Sequence, residues 1–394
     1  MAKLIEITGK ALSGEWGTDD ETGCGIPVLR TTNFTNEGIV NYRNVVTRTI
    51  TKKKIAEKYL RQGDIIIEKS GGSDKQPVGR VIYFDGPDST YLFNNFTGLL
   101  RVKDRNVWYP RYVFYSLFFN YRRGGTKAFE NKTTGLHNLK VDDYVSRCEV
   151  RVENIQKQVA ICEQLDRIFD IIRARQQQLQ KLDELIKARF VEMFGDLVVG
   201  NKIKTNRHKI GDIAFVTKLA GFEFTKYVQY KECGDIIMLR GLNCKKGKLV
   251  LDDIKWIDKA TSDLLPRSKL YYGDILMTYA GTIGDVAMVD ADDKYHLAPN
   301  VAKITLKEEA YNPIFLMHLF LYTNNYIMTF ASKVAQASIN MGKIRNLEYF
   351  FPDIDMQNWF ATFVEQVDKS KSVVQKALDE AQLLFDSLMQ QYFG

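Results

Sequence analysis

One group of residues has the types and spacing of a metal-dependent nuclease. Asp88 follows Pro87, and Glu130 and Lys132 form an E-x-K triplet downstream. In such a site two carboxylates hold Mg²⁺, and the lysine polarises the scissile phosphate or the attacking water. However, D-G-P-D-S also has the composition of an ordinary turn, and the internal repeat of the sequence has no equivalent triplet. A metal-dependent endonuclease is therefore an alternative interpretation, and not the leading one.

Other catalytic and cofactor motifs are missing from the sequence. It has no G-x-x-x-x-G-K-S/T phosphate loop, no G-x-G-x-x-G after a strand and no G-x-S-x-G elbow. The residues at 312–315 (NPIF) lack the second proline of the N-P-P-Y/F signature of adenine methyltransferases, and a helix start explains Pro313. The five cysteines form no C-x-x-C pair and the four histidines no H-E-x-x-H motif. We expect a non-catalytic chain with no metal or cofactor of its own.

Cations and amides suited to contact nucleic acid are more plentiful. Phosphates are bound by mobile Lys and Arg side chains, and base edges are read by polar side chains at the tips of loops and helices. The candidates in the first half are Arg30, Asn33, Lys52, Lys53, Arg122, Arg123, Lys127 and Asn138. Those in the second half are Lys218, Arg240, Asn243, Lys245, Lys246, Lys248, Tyr279, Thr282, Gln336, Asn340 and Lys343. A solvated surface is the alternative for any single cluster, and a buried structural role is the alternative for Arg30 and Arg240.

The composition is that of a folded, mildly basic protein. The chain has 394 residues, of which 45% are hydrophobic and 26% charged, and its formal net charge is +7. This balance permits an anionic partner without requiring one. The cysteines are scattered, the N-terminus has no signal-peptide pattern, and no apolar stretch is long enough to span a bilayer. These features predict a soluble protein of the cytoplasm.

The sequence repeats itself at a spacing of 210 residues. The matching segments are 29–33 with 239–243 (LRTTN and LRGLN), 63–65 with 273–275 (GDI in both), and Gly71 with Gly281. Three matches in the same order indicate a duplicated unit of about half the chain. Matched positions favour a functional role for the pairs Arg30 with Arg240, Asn33 with Asn243, and Asn138 with Asn340.

Each unit is predicted to mix strands and helices. Short β-rich stretches bounded by Gly, Asp and Asn lie at 64–68, 79–84, 274–278 and 285–289. A helix is predicted to begin near Pro110 in the first unit and near Pro313 in the second. A polar loop is expected to close each unit, at 133–140 and at 337–343.

A long helix is predicted after each unit. No Pro or Gly interrupts the chain from Val152 to Phe194, and seam residues step by alternating three and four from Leu165 to Met193. The stretch from Val364 to Leu388 shows the same heptad pattern, which is typical of coiled coils. Antiparallel pairing would return the chain to the first unit. An amphipathic helix on a globular core is the alternative, although forty uninterrupted residues exceed most globular helices.

The chain resembles the specificity subunits of type I restriction-modification enzymes. The resemblance lies in the duplicated L-R-x-x-N and G-D-I segments, in 279–289 (YAGTIGDVAMV) and in 338–354 (SINMGKIRNLEYFFPDI). The order of unit, helix, unit and helix covers essentially the whole chain. The stretch that closes the first unit, 138–152, lacks the proline-rich lead-in to the helix that the family shows.

The resemblance implies an α+β fold with two similar mixed α/β target-recognition domains, joined by two long helices that form an antiparallel coiled coil. The expected boundaries are 1–150 for the first recognition domain, 151–196 for the first helix, 197–353 for the second recognition domain and 354–394 for the second helix.

The resemblance also implies a function. Such a subunit reads a bipartite site in double-stranded DNA, with loops of each domain in the major groove. Its helices dock two methyltransferase subunits, and restriction subunits join them. S-adenosylmethionine, ATP and Mg²⁺ would be used by those partners. A third interpretation is a coiled-coil scaffold that does not bind DNA.

Overall fold

The computed structural model describes residues 1–52, 55–133, 136–200, 207–332 and 337–394. Its internal contacts divide the chain into two units. Unit 1 consists of Met1–Gln176 together with Lys376–Gly394, and unit 2 is the continuous segment Gln177–Gln375. None of the helices in these parts of the chain combines the length and the apolar character that a bilayer span requires.

Unit 1 is built from small sheets and helices. Its strands are β1 (Ala2–Lys3), β2 (Leu12–Ser13), β3 (Thr18–Asp19), β4 (Ile26–Leu29), β5 (Val46–Thr49), β6 (Ile65–Glu68), β7 (Ser70–Gly72), β8 (Val81–Tyr83), β9 (Leu92–Phe93), β10 (Thr97–Leu100), β11 (Glu130–Thr133), β12 (Leu136–Leu139) and β13 (Glu149–Val150). Its helices are α1 (Leu4–Thr8), α2 (Pro110–Arg122), α3 (Val141–Arg147) and the first part of α4 (Ile155–Phe194).

Unit 2 has a similar set of elements. Its strands are β14 (Arg207–Lys209), β15 (Ala214–Lys218), β16 (Ile236–Leu239), β17 (Cys244–Lys245), β18 (Lys248–Leu249), β19 (Lys255–Ile257), β20 (Lys269–Leu270), β21 (Ile275–Thr278), β22 (Val286–Met288), β23 (Tyr295–Leu297), β24 (Val301–Leu306) and β25 (Glu348–Phe350). Its helices are α5 (Ile210–Ile213), α6 (Gly221–Tyr227), α7 (Lys259–Asp263), α8 (Pro313–Tyr322), α9 (Asn324–Met328), α10 (Met341–Arg345) and α11 (Ile354–Phe393), whose last residues belong to unit 1.

The two units share the topology of their main sheet and of two strand pairs. The sheet β2-β10-β6-β8 of unit 1 corresponds to β15-β24-β21-β22 of unit 2. The parallel pair β4 and β9 corresponds to β16 and β23, and the pair β1 and β13 corresponds to β14 and β25. The duplication predicted from the sequence is therefore confirmed, as is the α+β class.

The central strand of each main sheet is buried on both faces. In β6, Ile65 and Ile67 point to the core that contains α2, whereas Ile66 points to a second core around Leu29. In β21 the residues at 275–277 alternate between two cores in the same way. Successive side chains of a strand point to opposite faces, so a strand between two cores must be apolar throughout. This requirement explains the runs III and ILM.

The repeated G-D-I segment is a turn that leads into this strand. Gly63 and Gly273 have φ angles of 92° and 86°, in the region that favours glycine. The next residue, Asp64 or Asp274, is buried, and its carboxylate accepts a hydrogen bond from the N–H of the residue three positions earlier. The motif therefore serves the fold.

The helices after the sheets begin where the prolines predicted, and the closing loops do not match the prediction. α2 begins at Pro110 and α8 at Pro313. The predicted loop at 133–140 contains strand β12, which pairs with β11 and with the distant β7. The predicted loop at 337–343 contains the start of helix α10. Both segments were predicted as loops because they are locally polar. The sequence did not show that β12 pairs with a strand about 65 residues away, or that α10 is a single capped turn.

The two long helices pair in an antiparallel manner within each unit. In unit 1 the Tyr392 hydroxyl donates to Gln164 Oε1 at 2.7 Å, and further along α4 the ring of Phe169 meets that of Phe385. In unit 2, Asp183 pairs with Lys371, while the later Arg189 lies over Trp359. Residue numbers rise along α4 as they fall along α11, which is the predicted direction. Seam residues such as Leu165, Ile172, Ile186, Val364 and Phe385 are buried as the heptads predicted.

Candidate nucleic-acid interface

The asparagines of the L-R-x-x-N repeat are buried, and each holds the loop that follows it through hydrogen bonds to the backbone. Asn243 Oδ1 accepts the Arg240 N–H at 3.0 Å, and its Nδ2 donates to the carbonyls of Val250 and Asp253. Asn33 makes the same three bonds, to Arg30, Asn41 and Arg43. The two side chains are 0% and 1% exposed. Their prediction as DNA-contacting residues is wrong, since neither amide reaches the surface.

The arginines of the same motif hold the following loop as well. Arg240 Nη2 donates to the carbonyl oxygen of Asp253 at 2.8 Å and to its carboxylate at 2.7 Å. Arg30 Nη2 donates to the Asn44 carbonyl at 3.2 Å. These contacts favour the structural alternative for both arginines.

In unit 1, two cations lie on the segment between α2 and β11, whose last turn residue, Phe129, accepts the N–H of Lys140 just after β12. Arg123 follows α2, and Lys127 opens the turn that leads into β11; both are exposed. Asn138, on β12, accepts a hydrogen bond from Ser70 Oγ at 2.5 Å. These residues define the Asn138 end of unit 1.

Two other cations of unit 1 are held by carboxylates. Arg122 forms a 2.6 Å ion pair with Asp386, which directs it to α11. Lys52 is bound to Glu15 at 2.6 Å, although 69% of its side chain is exposed. Lys53 lies outside the described residues.

In unit 2 the structure brings several candidates to one end. Lys218 Nζ lies 5.5 Å from the centre of the Tyr279 ring. The Tyr279 carbonyl accepts the Ile339 N–H at 2.8 Å, so the loop that carries Thr282 lies beside the segment leading to Asn340. These residues define the Tyr279 end of unit 2. Gln336 lies outside the described residues.

Asn340 and Lys343, two of the predicted residues at this end, also have local structural roles. Asn340 caps α10 by accepting the N–H of Lys343 at 2.9 Å. The ammonium group of Lys343 donates to the Phe330 carbonyl at 2.7 Å and is turned towards the protein. Asn340 remains exposed, so its other amide atoms are accessible.

The pairing of Asn138 with Asn340 is wrong by two residues. Asn138 pairs with Ser70, and Ala280, which is 210 residues after Ser70, forms a bridge with Ser338. Asn138 therefore corresponds to Ser338. The equivalent of Asn340 is Lys140, since each precedes the helix before the closing strand. The spacing between equivalent residues is 210 at Ser70 and Ala280 but 200 at Asn138 and Ser338. This change hid the true match in the sequence.

The lysines of the β17–β18 turn face different environments. All three lysines are exposed, and Lys246 and Lys248 also line a cavity of about 680 Å³ together with residues of α4, α8 and α11. Burial, and then the nearby ammonium group of Lys371, lower the pKa of Lys248. A nucleic-acid contact is thus best supported for Lys245 within this turn.

Sequence inspection missed a pair of buried glutamines that fasten the long helices. Gln158 Oε1 accepts the N–H of Tyr109, just before α2, at 2.8 Å, and Gln357 Oε1 accepts the N–H of Asn312, just before α8, at 3.0 Å. Each glutamine is the fourth residue of its long helix and 1% exposed. That shared position is the signal that could have revealed them.

An exposed aromatic ring near the Tyr279 end was also missed. Helix α6 begins three residues after Lys218, and its second residue, Phe222, is 70% exposed. Exposed rings beside cations can wedge between base steps or stack on unpaired bases. The short aromatic segment GFEFTKY is the sequence feature that could have indicated this exposed ring.

The nuclease alternative gains no support. Asp88 accepts the Gln62 N–H at 2.7 Å in a turn, and Glu130 is bound to His137 on the adjacent strand. The side chain of Lys132 lies outside the described residues. Within the described part of the chain, no three His, Cys, Asp or Glu side chains converge as metal ligands would.

The family model for the type I restriction modification DNA specificity domain matches the chain twice, at residues 2–184 and 204–382. The chain belongs to this family. DNA specificity domains are the non-catalytic class that the sequence predicted, and the two matches correspond to the duplication.

Individual relatives agree with this family. The chain is 26% identical over 158 residues to the Escherichia coli type I restriction enzyme EcoBI specificity subunit; the match covers 39% of this chain and 33% of that protein. It thus spans about a third of that relative. A solved chain of a type I restriction-modification system is similar over 100% of this chain and 96% of its own, with a TM-score of 0.55 and 13% identity. The S subunit from M. genitalium gives 0.54, 14% identity and coverage of 100% and 95%. These two likenesses concern the fold.

Proposed function

We propose that the chain reads a bipartite target in double-stranded DNA, one half-site per unit, and recruits two methyltransferase subunits and restriction subunits. The observation that carries the proposal is the double match to a DNA specificity domain, once in each of two units whose main sheets share one topology. Two units of one fold with different surfaces suit a target with two different halves.

The DNA contacts are proposed at the Asn138 end of unit 1 and the Tyr279 end of unit 2. Their exposed members are Arg123, Lys127, Lys218, Thr282 and Asn340. Lysines and arginines there would position phosphates, and the amide and hydroxyl groups would read base edges. Lys52 and Lys245 are further phosphate contacts in this proposal.

The helices α4 and α11 are the proposed docking elements for the methyltransferase subunits. Both helices present solvent-exposed apolar residues, such as Ile171, Leu185 and Leu383, beside their buried seams. In this proposal S-adenosylmethionine, ATP and Mg²⁺ are bound and used by the partner subunits.

A domain exchange tests the proposal. The two ends of the segment 1–150 lie together, because β1 pairs with β13, so the equivalent segment of a relative can replace it on the parent's α4 and α11. We expect cells that express the hybrid with its methyltransferase subunit to methylate a target in which one half has changed and the other is retained. Mapping of methylated adenines provides the measurement, with the parent chain as control. A change in both halves, or no change with an active complex, would contradict one half-site per unit.

A further inference from the structure

Fold-equivalent positions of the two units can be matched through identical hydrogen bonds. The backbone N–H of Lys103 donates to Ile7, and that of Lys307 donates to Ile213. The ammonium groups of both lysines reach a carbonyl of the short helix α1 or α5. Gln62 and Tyr272 likewise donate their N–H groups to Asp88 and Asp292. These contacts identify the same corner of the fold in each unit.

In unit 1 this corner is a basic recess. It encloses about 620 Å³ and lies beside the turn that precedes β6. Five cationic side chains line it, against the two carboxylates of Glu57 and Asp88. The cations are Lys10, Arg61, Arg101, Lys103 and Arg105.

One of the five cations is compensated by a carboxylate, and a second is common to both units. Arg101 holds the buried carboxylate of Asp64 through two hydrogen bonds, of 2.8 and 2.6 Å. Lys103 closes helix α1, as Lys307 closes α5.

Three cations remain available. Arg105 donates to the neutral carbonyl of Gln62 at 2.8 Å, which leaves its charge uncompensated. Among the described residues, the side chains of Lys10 and Arg61 have no ion-pair partner. The recess therefore presents three exposed positive charges around one concavity.

In unit 2 the same corner is aromatic. Arg61 corresponds to Tyr271, since each donates its N–H to the buried aspartate three residues later. Lys10 corresponds to Phe215, because Leu12 and Thr217 occupy the same register against β10 and β24. Phe215 is 60% exposed and Tyr271 is 46% exposed. The fold thus forms without positive charge at these positions, so the cations of unit 1 are not a requirement of folding.

The recess is remote from the Asn138 end of unit 1. Asp64 lies just before β6, next to the turn residues Arg61 and Gln62 that line the recess, whereas Ser70, the partner of Asn138, follows the other end of β6. The two surfaces are therefore separate.

We propose that this recess binds a phosphate group. Guanidinium groups match phosphate oxygens in paired hydrogen bonds, and a lysine adds a compact charge. Clustered like charges without a ligand repel one another, and a bound phosphate removes that repulsion. The phosphate belongs either to DNA that extends past the reading surface or to a free phosphate compound.

The test uses the full chain, inorganic phosphate and a DNA duplex. Lys10→Gln/Arg61→Tyr removes two charges, with tyrosine being the residue that unit 2 has at this position. Lys369→Gln/Lys376→Gln removes two exposed charges from α11 and is the control. We expect calorimetry to show phosphate binding by the parent and control chains in chloride buffer of equal ionic strength. The recess variant should bind at least tenfold more weakly. Absence of binding by the parent chain, or equal weakening in both variants, would overturn the proposal.

The salt dependence of DNA affinity distinguishes the two sources of phosphate. If the recess holds DNA phosphates, the recess variant should have a log K against log salt slope smaller by about 0.9 for each phosphate that it no longer neutralises, and the control should not. An unchanged slope together with weakened phosphate binding assigns the recess to a free phosphate compound. The calorimetric result does not depend on bipartite DNA reading, so failure of either proposal can be recognised separately.

Discussion

Asn33 and Asn243 each close a loop by accepting one backbone N–H and donating to two carbonyls. Asp64 and Asp274 similarly hold the turn before the central strand. At the residue scale, therefore, the positions that repeat along the chain belong to the interior. Exposed positions such as Arg61 and Tyr271 differ in chemistry between the units. The duplication has kept what the fold requires, whereas the surfaces have diverged.

Replacing Asn243 by alanine is expected to destabilise the protein by roughly 1–3 kcal/mol, because a buried N–H and two buried carbonyls lose their partner. Urea unfolding followed by circular dichroism provides the measurement. Lys245→Ala, two residues away and exposed, is the control and should unfold like the parent chain. A stable Asn243→Ala variant with an altered DNA target would show that this amide reads bases after all.

A second residue-scale prediction concerns His318, which is buried between α8 and α11 in unit 2. Burial lowers the pKa of its imidazole to about 4. Its surroundings are the ring of Phe360, the Tyr322 hydroxyl, and the charges of Asp183, Asp368 and Lys371. Because the unfolded chain takes up the proton near pH 6.5, the free energy of unfolding should fall by about 3 kcal/mol as the pH drops from 6.5 to 4.

Chemical unfolding at several pH values measures this decrease. The glutamine in His318→Gln does not titrate, so the stability of that variant should fall by about 3 kcal/mol less than that of the parent chain over this interval. Gln366→Ala, at an exposed position of α11 that does not titrate, is the control and should retain the parent's slope. Equal slopes for the parent and His318→Gln would show that His318 takes up its proton without cost to the fold.

The site was harder to predict from the sequence than the fold, for a reason visible in single residues. Asparagine suits both a base edge and a buried loop, and sequence alone does not show which environment surrounds Asn33. Arg30 and Arg240 raise the same ambiguity. Exposed lysines such as Lys127 and Lys218 were identified because charge usually stays at the surface. Their contacts with DNA remain a prediction.

At the scale of elements, prediction succeeded where the signal is local. Proline marks the starts of α2 and α8, and heptad spacing marks α4 and α11. It failed for β12, whose partner β7 is distant in the sequence. Lys371 illustrates a further limit. It occupies a seam position expected to be apolar, and its ammonium group is satisfied by Asp183 at 2.5 Å and Asp368 at 3.0 Å.

The long helices are predicted to set the spacing between the two half-sites. The division between units crosses α4 after Gln176 and α11 after Gln375. Repeating residues 170–176 and 369–375 at these points adds one heptad to each helix and preserves both seams. Each helix becomes about 10 Å longer. The methylated target should keep both halves and gain about three base pairs between them, since each pair adds about 3.4 Å.

Methylation mapping reads this spacing directly. The control repeats only 170–176, which shifts one helix against the other and should abolish activity. A lengthened chain that methylates the original target at full efficiency would show that the helices do not set the gap.

At the scale of the whole molecule, unit 1 is discontinuous. Residues 376–394 contribute Phe385, Leu388 and Met389 to its core, although all of unit 2 separates them from Gln176. During translation, unit 2 has all of its residues as soon as Gln375 has been added. Unit 1, whose synthesis starts first, still lacks one wall of its core at that moment. Unit 1 is therefore synthesised first but completes its folding last. A premature stop codon near position 376 would leave unit 2 complete and would damage unit 1.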